Sequence, residues 1–265
     1  MGSASREALA DVRAKLTALG GSATLLTGEQ LLSAGRAIGN SSALLSLLAD
    51  PSAPRESKAG VVTELFASQV EPQALGILTD VVTSRWSNHA DVLEAIEELG
   101  FRVLAASVPA GVSIEAELAS FGEAVSSSDE LELALGSKLG DADAKLALVD
   151  ALLNGKASAQ TVAIVRQLVS QPRGRRIGEL LTVAADIVAD AEGKSIATVT
   201  SAAPIAAEQL DRLEKGLSKL YGRALLVNQQ IDPTLIGGLR IQVGDDVIDG
   251  SISSRINDLR LQLAG

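Results

Sequence analysis

Apolar residues recur along the first two thirds of the chain at the three- and four-residue spacing of helices that bury one side. The first such helix carries Leu9, Val12, Leu16 and Leu19. Three short groups follow, with apolar members Leu44, Leu45, Leu47 and Leu48, then Val61, Val62, Leu65 and Phe66, then Leu75, Leu78, Val81 and Val82. Asp50-Pro51 closes the first group, and Pro54 and Pro72 stand where the next two begin. The pattern predicts short helices joined by tight turns.

The helical region contains an internal repeat. Residues 31–93 match residues 118–180 without a gap at an offset of 87 positions, so that Leu31 falls on Leu118. The identities at this offset include Gly35/Gly122, Leu44/Leu131, Lys58/Lys145, Ile77/Ile164 and Leu93/Leu180. Leucine and alanine coincide by chance in so aliphatic a chain, but an ungapped match that includes turn signals favours duplication. Residues 88–107 predict a longer helix that closes the first copy and opens the second.

The pattern changes near Gly193, after which strand signals appear. Residues 195–200 are rich in β-branched side chains, residues 223–231 predict a second strand, and Leu239, Ile241 and Val243 alternate with polar residues. A short strand is expected at 246–248. Two helices are also expected. The first opens at Pro204 and ends before Gly222, and its apolar residues are Leu210, Leu213, Leu217 and Leu220. The second is capped by Ser251, and its apolar residues are Ile252, Ile256 and Leu259.

These patterns predict a mainly α protein with two related helical-bundle repeats followed by a small α+β C-terminal domain. We expect an extra N-terminal helical repeat at 1–87 and a second helical bundle at 88–193, with helix 88–107 shared between them. The α+β domain is expected at 194–265.

Composition narrows the class of partner. The 265 residues carry a formal charge of −10, and aromatic residues make up 2% of the chain. Nucleic-acid binding needs cations and stacking surfaces, so this balance argues against it and favours protein partners that present basic segments. The chain has no cysteine, no secretory signal pattern and no apolar run of the roughly 20 residues that span a bilayer. We expect a soluble chain that reaches a membrane only through a partner.

The sequence contains no complete motif for catalysis, cofactor binding or metal binding. Gly193-Lys194-Ser195 is similar to the end of a P-loop, but Val188 occupies the position of the first glycine, and the segment leads from helix to strand. His89 is the one histidine, so no zinc-binding histidine pair exists. Asp245, Asp246 and Asp249 suit either a cation site or, more simply, the turns of a hairpin. We therefore expect no catalytic residue, no cofactor and no metal.

The C-terminal stretch IDPTLIGGLRIQVGDDVIDGSISSRINDLRLQL resembles the signature of the ATP synthase delta subunit family, known also through the mitochondrial oligomycin-sensitivity-conferring protein. The matching positions are Asp232, Pro233, Gly237, Gly238, Gly244, Asp245, Asp249, Gly250, Ser251 and Arg255. Their chemistry points to structural roles, because paired glycines permit unusual backbone conformations and Asp-Gly suits a tight turn.

The resemblance continues back through residues 88–236, where the family has a six-helix bundle followed by the α+β domain. One departure is at Ala206 and Ala207, which cannot cap the helix that the family often caps with Ser or Thr. Residues 1–87 exceed the family's short form and are similar to the extension of its long forms.

The resemblance implies a non-catalytic subunit of the F-type proton-translocating ATP synthase. It would link the catalytic alpha/beta head to the peripheral stalk b subunits, so that proton transport and rotation are coupled to ATP synthesis. Its bundle would receive N-terminal helices of alpha, and its C-terminal domain would meet the stalk. The complex would hold it peripherally on the cytoplasmic face of the cell membrane, with no direct membrane insertion and no nucleic acid.

Within this scheme, we expect the second copy to carry the main groove for an alpha helix. The first copy would make auxiliary contacts, although Leu44, Leu65 and Ile77 equally suit its own core. Two other classes of protein remain: a helical-repeat adaptor or regulatory protein unrelated to the synthase, and an enzyme with an unrecognised site. Co-purification with alpha and beta subunits separates them from the family reading.

Overall fold

The structure, a computed structural model, describes residues 1–18, 24–136, 141–222, 224–244 and 246–250. The chain forms two compact units, residues 1–188 and residues 189–265. The helices described in the first unit are α1 (Ser3–Ala18), α2 (Leu25–Gly39), α3 (Ser42–Ala49), α4 (Arg55–Phe66), α5 (Pro72–Thr83), α6 (His89–Ala106), α7 (Ile114–Ser126), α8 (Asp129–Gly136), α9 (Ala142–Leu153), α10 (Ala159–Ser170) and α11 (Ile177–Ala191), the last of which ends in the second unit. The mainly α class is confirmed.

The helix bounds repeat at the offset found in the sequence. α3, α4 and α5 coincide residue for residue with α8, α9 and α10 when they are moved by 87 positions, as from Ser42 to Asp129. α2 and α7 share their last residue at the same offset, and α1 falls within α6. The order α1–α6 therefore recurs as α6–α11, with α6 in both.

Two hydrogen bonds recur at equivalent positions in the two copies. The Ser41 hydroxyl accepts a hydrogen bond from the Leu44 backbone N–H at 3.3 Å at the start of α3, and the Ser128 hydroxyl accepts one from Leu131 at 3.3 Å at the start of α8. Each serine satisfies a backbone donor that a helix N-terminus leaves free. The match in helix bounds thus extends to single atoms.

The second pair of bonds joins separate helices. Gln30 of α2 accepts a hydrogen bond from the Glu71 backbone N–H at 2.8 Å, just before α5. Glu117 of α7 accepts one from the Ser158 backbone N–H at 3.0 Å, just before α10. In each copy, a side chain of the second helix holds the N-terminus of the fifth.

α6 is buried on nearly all sides because both halves of the unit pack on it. It contacts α1, α2, α3 and α5, which precede it in the sequence, and α10, which follows it. Its core includes Val92, Ile96, Leu99, Phe101 and Leu104, each exposed by 1% or less. A helix that is apolar around most of its circumference needs neighbours all round.

Small residues allow α2 to approach α6 closely. An added Cβ at Gly28 would lie 2.6 Å from Leu104 Cδ2, and one at Gly100 would lie 2.5 Å from Leu32 Cδ2. The two glycines also face one another, since the Cβ at Gly28 would lie 3.4 Å from the Gly100 carbonyl oxygen. Any side chain here would force the helices apart.

The predicted helical faces are confirmed in part. Leu9, Val12, Leu48, Val62 and Phe66 are buried in the core of the first copy, together with Ile77, Leu78, Val81 and Val82. However, Leu65, predicted to share one face with Val62 and Phe66, is 42% exposed, so its predicted place on that face is wrong. Leu47, in the apolar group of α3, has the same exposure. Leu19 lies outside the described residues.

The second unit has a four-stranded sheet in the order β2-β1-β3-β4, built from β1 (Lys194–Ser201), β2 (Ala224–Ile231), β3 (Leu239–Val243) and β4 (Asp246–Asp249). β1 and β2 are parallel and are joined by helix α12 (Ala207–Tyr221), while β3 is antiparallel to both β1 and β4. Val199, Leu217, Leu225 and Val243 form the core between sheet and helix. The four predicted strands are confirmed.

The ends of α12 refine the prediction. The helix begins at Ala207, three residues after Pro204, and Ala206 provides no side-chain cap. Gly222 ends it in the left-handed conformation at φ 67°, as expected of a C-terminal glycine. Leu220, expected on the buried face, is 69% exposed. The predicted last helix, with Ser251, Ile252, Ile256 and Leu259, lies outside the described residues.

We predict that Gly100→Ala lowers the free energy of unfolding by about 1–3 kcal/mol, because the added methyl group overpacks the contact between α2 and α6. This holds although alanine favours a helix by about 1 kcal/mol over glycine. The matched control is Gly60→Ala in α4, where a Cβ would meet nothing within 4 Å. Denaturant unfolding should show Gly60→Ala at or above wild-type stability, and equal stability of both variants would contradict the close contact.

Candidate functional site

Two neighbouring acids on α6 face opposite halves of the helical unit. Glu97 and Glu98 are 8% and 7% exposed, respectively. Glu98 accepts hydrogen bonds from Arg13 Nε of α1 at 2.6 Å and from Arg102 Nε, one turn along α6, at 2.7 Å. A buried carboxylate stays charged at low cost only when cations and donors surround it. Glu98 thus ties the shared helix to the first helix of the chain.

Glu97 makes the corresponding contacts with the second copy. Its carboxylate accepts a hydrogen bond from Gln167 Nε2 of α10 at 3.1 Å and ion-pairs with Arg173 and, at 3.4 Å, with Arg175. Gln167 in turn accepts a hydrogen bond from Arg36 Nη1 of α2 at 2.7 Å. A continuous polar network therefore joins α2, α6, α10 and the loop before α11.

Arg36 stands out electrostatically in this network. Burial lowers the pKa of its guanidinium, and the nearby positive charge of Arg166 lowers it further. Arg166 itself lies 3.7 Å from the carboxylate of Asp150. Two guanidinium groups therefore lie near one another at the junction of the two copies. Sequence reasoning missed this network, although the adjacent acids in an apolar helix and the run QPRGRR at 171–176 were visible signals.

The first family-signature residues form the connection from β2 to β3. The Asp232 backbone N–H donates to the Ser201 carbonyl oxygen at 2.9 Å, which joins this turn to the end of β1. The Asp232 side chain accepts hydrogen bonds from the Thr234 hydroxyl at 2.6 Å and the Thr234 backbone N–H at 2.9 Å, and these hydrogen bonds lower the pKa of the Asp232 carboxyl. Pro233 lies between them, where its fixed φ suits a turn.

The signature glycines occupy left-handed backbone conformations. Gly237 and Gly238 have φ values of 84° and 83° immediately before β3, and Gly244 has a φ of 59° after it. Residues with a side chain adopt this region at a cost, so glycine is favoured at each position.

Asp249 and Gly250 of the signature lie at the end of β4. Asp249 pairs with Arg240 across the sheet, and the Gly250 backbone N–H donates to the Leu239 carbonyl oxygen at 2.9 Å. An added Cβ at Gly250 would lie 3.2 Å from that oxygen. Asp245, Ser251 and Arg255 lie outside the described residues. Gly237, Gly238, Asp249 and Gly250 thus lie beside the start of β3, Gly244 lies at its end, and Asp232 and Pro233 lie in the turn after β2.

The discarded catalytic motifs lie in ordinary structural positions. Gly193 has a φ of 72° between α11 and β1, and Lys194 begins the strand, so the triplet leads from helix to strand. His89 is the first residue of α6 and is exposed. Within the described ranges, no three histidines or acids are grouped as metal ligands, and no helix is long and apolar enough to cross a membrane.

Known proteins are similar to this chain over its whole length. The family model described as "ATP synthase delta (OSCP) subunit" matches residues 104–263. ATP synthase subunit delta of Leifsonia xyli subsp. xyli is 52% identical over 265 residues, covering 100% of both chains. The subunit of the same name from Streptomyces avermitilis is 38% identical over 267 residues, covering 98% of each chain.

A chain in the cryo-EM structure of the Toxoplasma gondii mitochondrial ATP synthase hexamer matches 64% of this chain and 96% of its own length. Its TM-score is 0.43 at 18% sequence identity. The family model and the relatives, which align with this chain across the first helical copy, show the family. The chain belongs to the ATP synthase delta (OSCP) subunit family.

Proposed function

We propose that this chain is the non-catalytic link between the alpha/beta head and the peripheral stalk b subunits of its ATP synthase. The observation that carries the proposal is its identity of 52% over the full length to a subunit delta. By holding the head against the stalk, the chain prevents the head from turning with the rotor, so that proton flow drives ATP synthesis. The synthase holds it peripherally at the cytoplasmic face of the cell membrane.

The helical unit is the proposed attachment to the head. α8 presents Leu133, which is 73% exposed, close after the exposed acids Glu130 and Glu132. An exposed apolar position beside acids suits an amphipathic helix with basic residues along its polar edge. This supports the second copy as the site for an alpha N-terminal helix.

The first copy has an auxiliary role in this proposal. Ile77 is 3% exposed within its core, and Leu44 packs against that core, so these two residues serve the fold of the copy itself. The proposed division stays at residues 1–87 for the extra repeat, 88–193 for the second bundle and 194–265 for the α+β domain.

The second unit is the proposed attachment to the stalk. Leu220, Ile231 and Ile236 are 69%, 53% and 66% exposed. Large apolar side chains at this exposure are typical of protein interfaces when they cluster. The signature turns hold the sheet that carries Ile231 and the loop that carries Ile236.

Reconstitution tests the link directly. Synthase stripped of this chain should hydrolyse ATP at a normal rate but pump no protons, because the head is free to turn. Adding back the full chain should restore proton pumping to the level of the intact complex, measured in vesicles by a pH-sensitive dye. Normal pumping without the chain would contradict the proposal.

The same preparation locates the contact with alpha. A photo-cross-linker at position 133 in α8 should join the alpha subunit, whereas one at position 47 in α3, the equivalent helix of the first copy, should not. The reverse result would move the alpha site to the first copy.

We also predict that Gly238→Val lowers the stability of the second unit by about 1–3 kcal/mol, since valine is strained at a φ of 83°. Binding to the b subunits should weaken, while binding to the alpha/beta head persists. The matched control is Gly216→Ala in α12, where a Cβ would meet nothing within 4 Å, and it should leave stalk binding unchanged. Calorimetric melting and b-subunit pull-down measure both effects, and an unaltered Gly238→Val protein would refute the structural role of this glycine.

A further inference from the structure

Five arginines gather at the junction of the two helical copies in a chain whose formal charge is −10. Arg36 lies in α2 and Arg166 in α10, and the positive charge of Arg166 contributes to the lowered pKa of Arg36. Arg173, Arg175 and Arg176 follow in the loop before α11, where two of them reach Glu97. We call these five residues the arginine cluster.

The carboxylates that face the arginine cluster leave positive charge in excess. Glu97 is shared by Arg173 and Arg175, and Asp150 lies 3.7 Å from Arg166. Glu132 of α8 lines the same cleft as Arg175 and Arg176.

Arg36 and Arg176 form no ion pair with a carboxylate of the described residues. Arg36 is bonded to the amide of Gln167. No ion pair of Arg176 is present within the part of the chain that the structure describes. Arg176 and Arg166 are both exposed, so their charge is available to a partner.

In the first copy, the loop equivalent to the one before α11 contains two residues with structural roles, Trp86 and Asn88. Trp86 is 4% exposed, and its indole N–H donates to the Val81 carbonyl oxygen at 2.7 Å. Asn88 caps α6 by accepting a hydrogen bond from the Asp91 backbone N–H at 3.0 Å. At the offset of 87 positions, Arg173 and Arg175 replace these two residues. The second copy has arginine where the first has a packing residue and a cap.

The backbone of the loop is also strained. Arg173 has a φ of 48°, the one positive value for a residue other than glycine in the described ranges. A side chain in this region costs free energy, and such strained residues, held in place by the structure around them, cluster at functional sites. Stability alone would favour glycine or asparagine here.

The cleft beside the loop limits the size of what it accepts. It has a volume of about 220 Å³ and is lined by Glu132, Gly136, Pro172, Gly174, Arg175, Arg176 and Ile177. Small-molecule sites usually measure roughly 300–1,000 Å³. The cleft suits one or two inserted side chains.

We propose that the arginine cluster is a docking site for an acidic segment of another synthase subunit, whose Asp or Glu side chains reach Arg166 and Arg176. Guanidinium groups bind carboxylates through two parallel hydrogen bonds, which gives such a contact direction as well as charge. An anionic bilayer is disfavoured as the partner, because the net charge of −10 repels it once the two surfaces come within the Debye length of about 8 Å. The inference rests on membership of the synthase and not on the proposed link between head and stalk.

Zero-length cross-linking in the assembled synthase tests the docking site. Arg166→Lys and Arg176→Lys keep the positive charge but supply an amine that carbodiimide joins to a carboxylate in direct contact. Mass spectrometry should find each lysine joined to an Asp or Glu of another subunit. The matched control, Arg55→Lys at the exposed start of α4, should give no such product. Cross-links confined to Glu132 or Asp150 of the same chain, or none, would overturn the proposal.

Charge reversal provides the second measurement. The double variant Arg166→Glu, Arg176→Glu should bind stripped synthase about tenfold more weakly and lose most of the salt dependence of binding, while Arg55→Glu binds as wild type. Circular dichroism checks that both proteins are folded. Unchanged affinity of the folded double variant would contradict the docking site while leaving the proton-pumping test unaffected. Binding of the isolated wild-type chain to phosphatidylglycerol vesicles, lost in the double variant, would assign the cluster to the membrane and also overturn the proposal.

Discussion

The burial of α6 is the constraint on which the helical unit depends. This helix is apolar around most of its surface, so helices of the first copy cover only part of it and helices of the second copy must cover more. The two acids on it follow the same division, since Glu98 pairs with Arg13 and Glu97 with the loop before α11. One helix serving as the sixth of one bundle and the first of the next makes the two copies a continuous body.

Because the two copies share α6, the helical unit presents two different surfaces on one continuous bundle. Most apolar residues of the first copy are buried in its own core. The second copy instead exposes Leu133 close to acids on α8, and the arginine cluster lies at the junction of the two copies. Separate surfaces of different charge would let each partner in the proposed link bind at its own position. The sheet unit adds a third surface, shaped by the glycine turns around β3.

Local signals account for much of what the sequence predicted. Proline and Asp-Pro positions marked where the helices α3 to α5 begin or end, and the offset of 87 residues predicted the same boundaries for α8 to α10. The alternation of apolar and polar residues predicted β3. The exposure of Leu65 was missed because helical spacing defines a stripe but not how much of it neighbours cover. The pairing of Glu97 with Arg173, 76 positions away, was also missed, because side-chain partners across a fold follow no local period.

Native-state hydrogen exchange tests most directly whether α6 makes one body of the two copies. If it does, the slowest-exchanging amides of α2–α5 and of α7–α10 should share a single opening free energy that falls in parallel as denaturant is added. Those of α6, such as Leu99, should belong to the same group. Two groups, in which α7–α10 stay protected at denaturant concentrations where α2–α5 exchange freely, would show that the copies are independent bundles and would contradict the account.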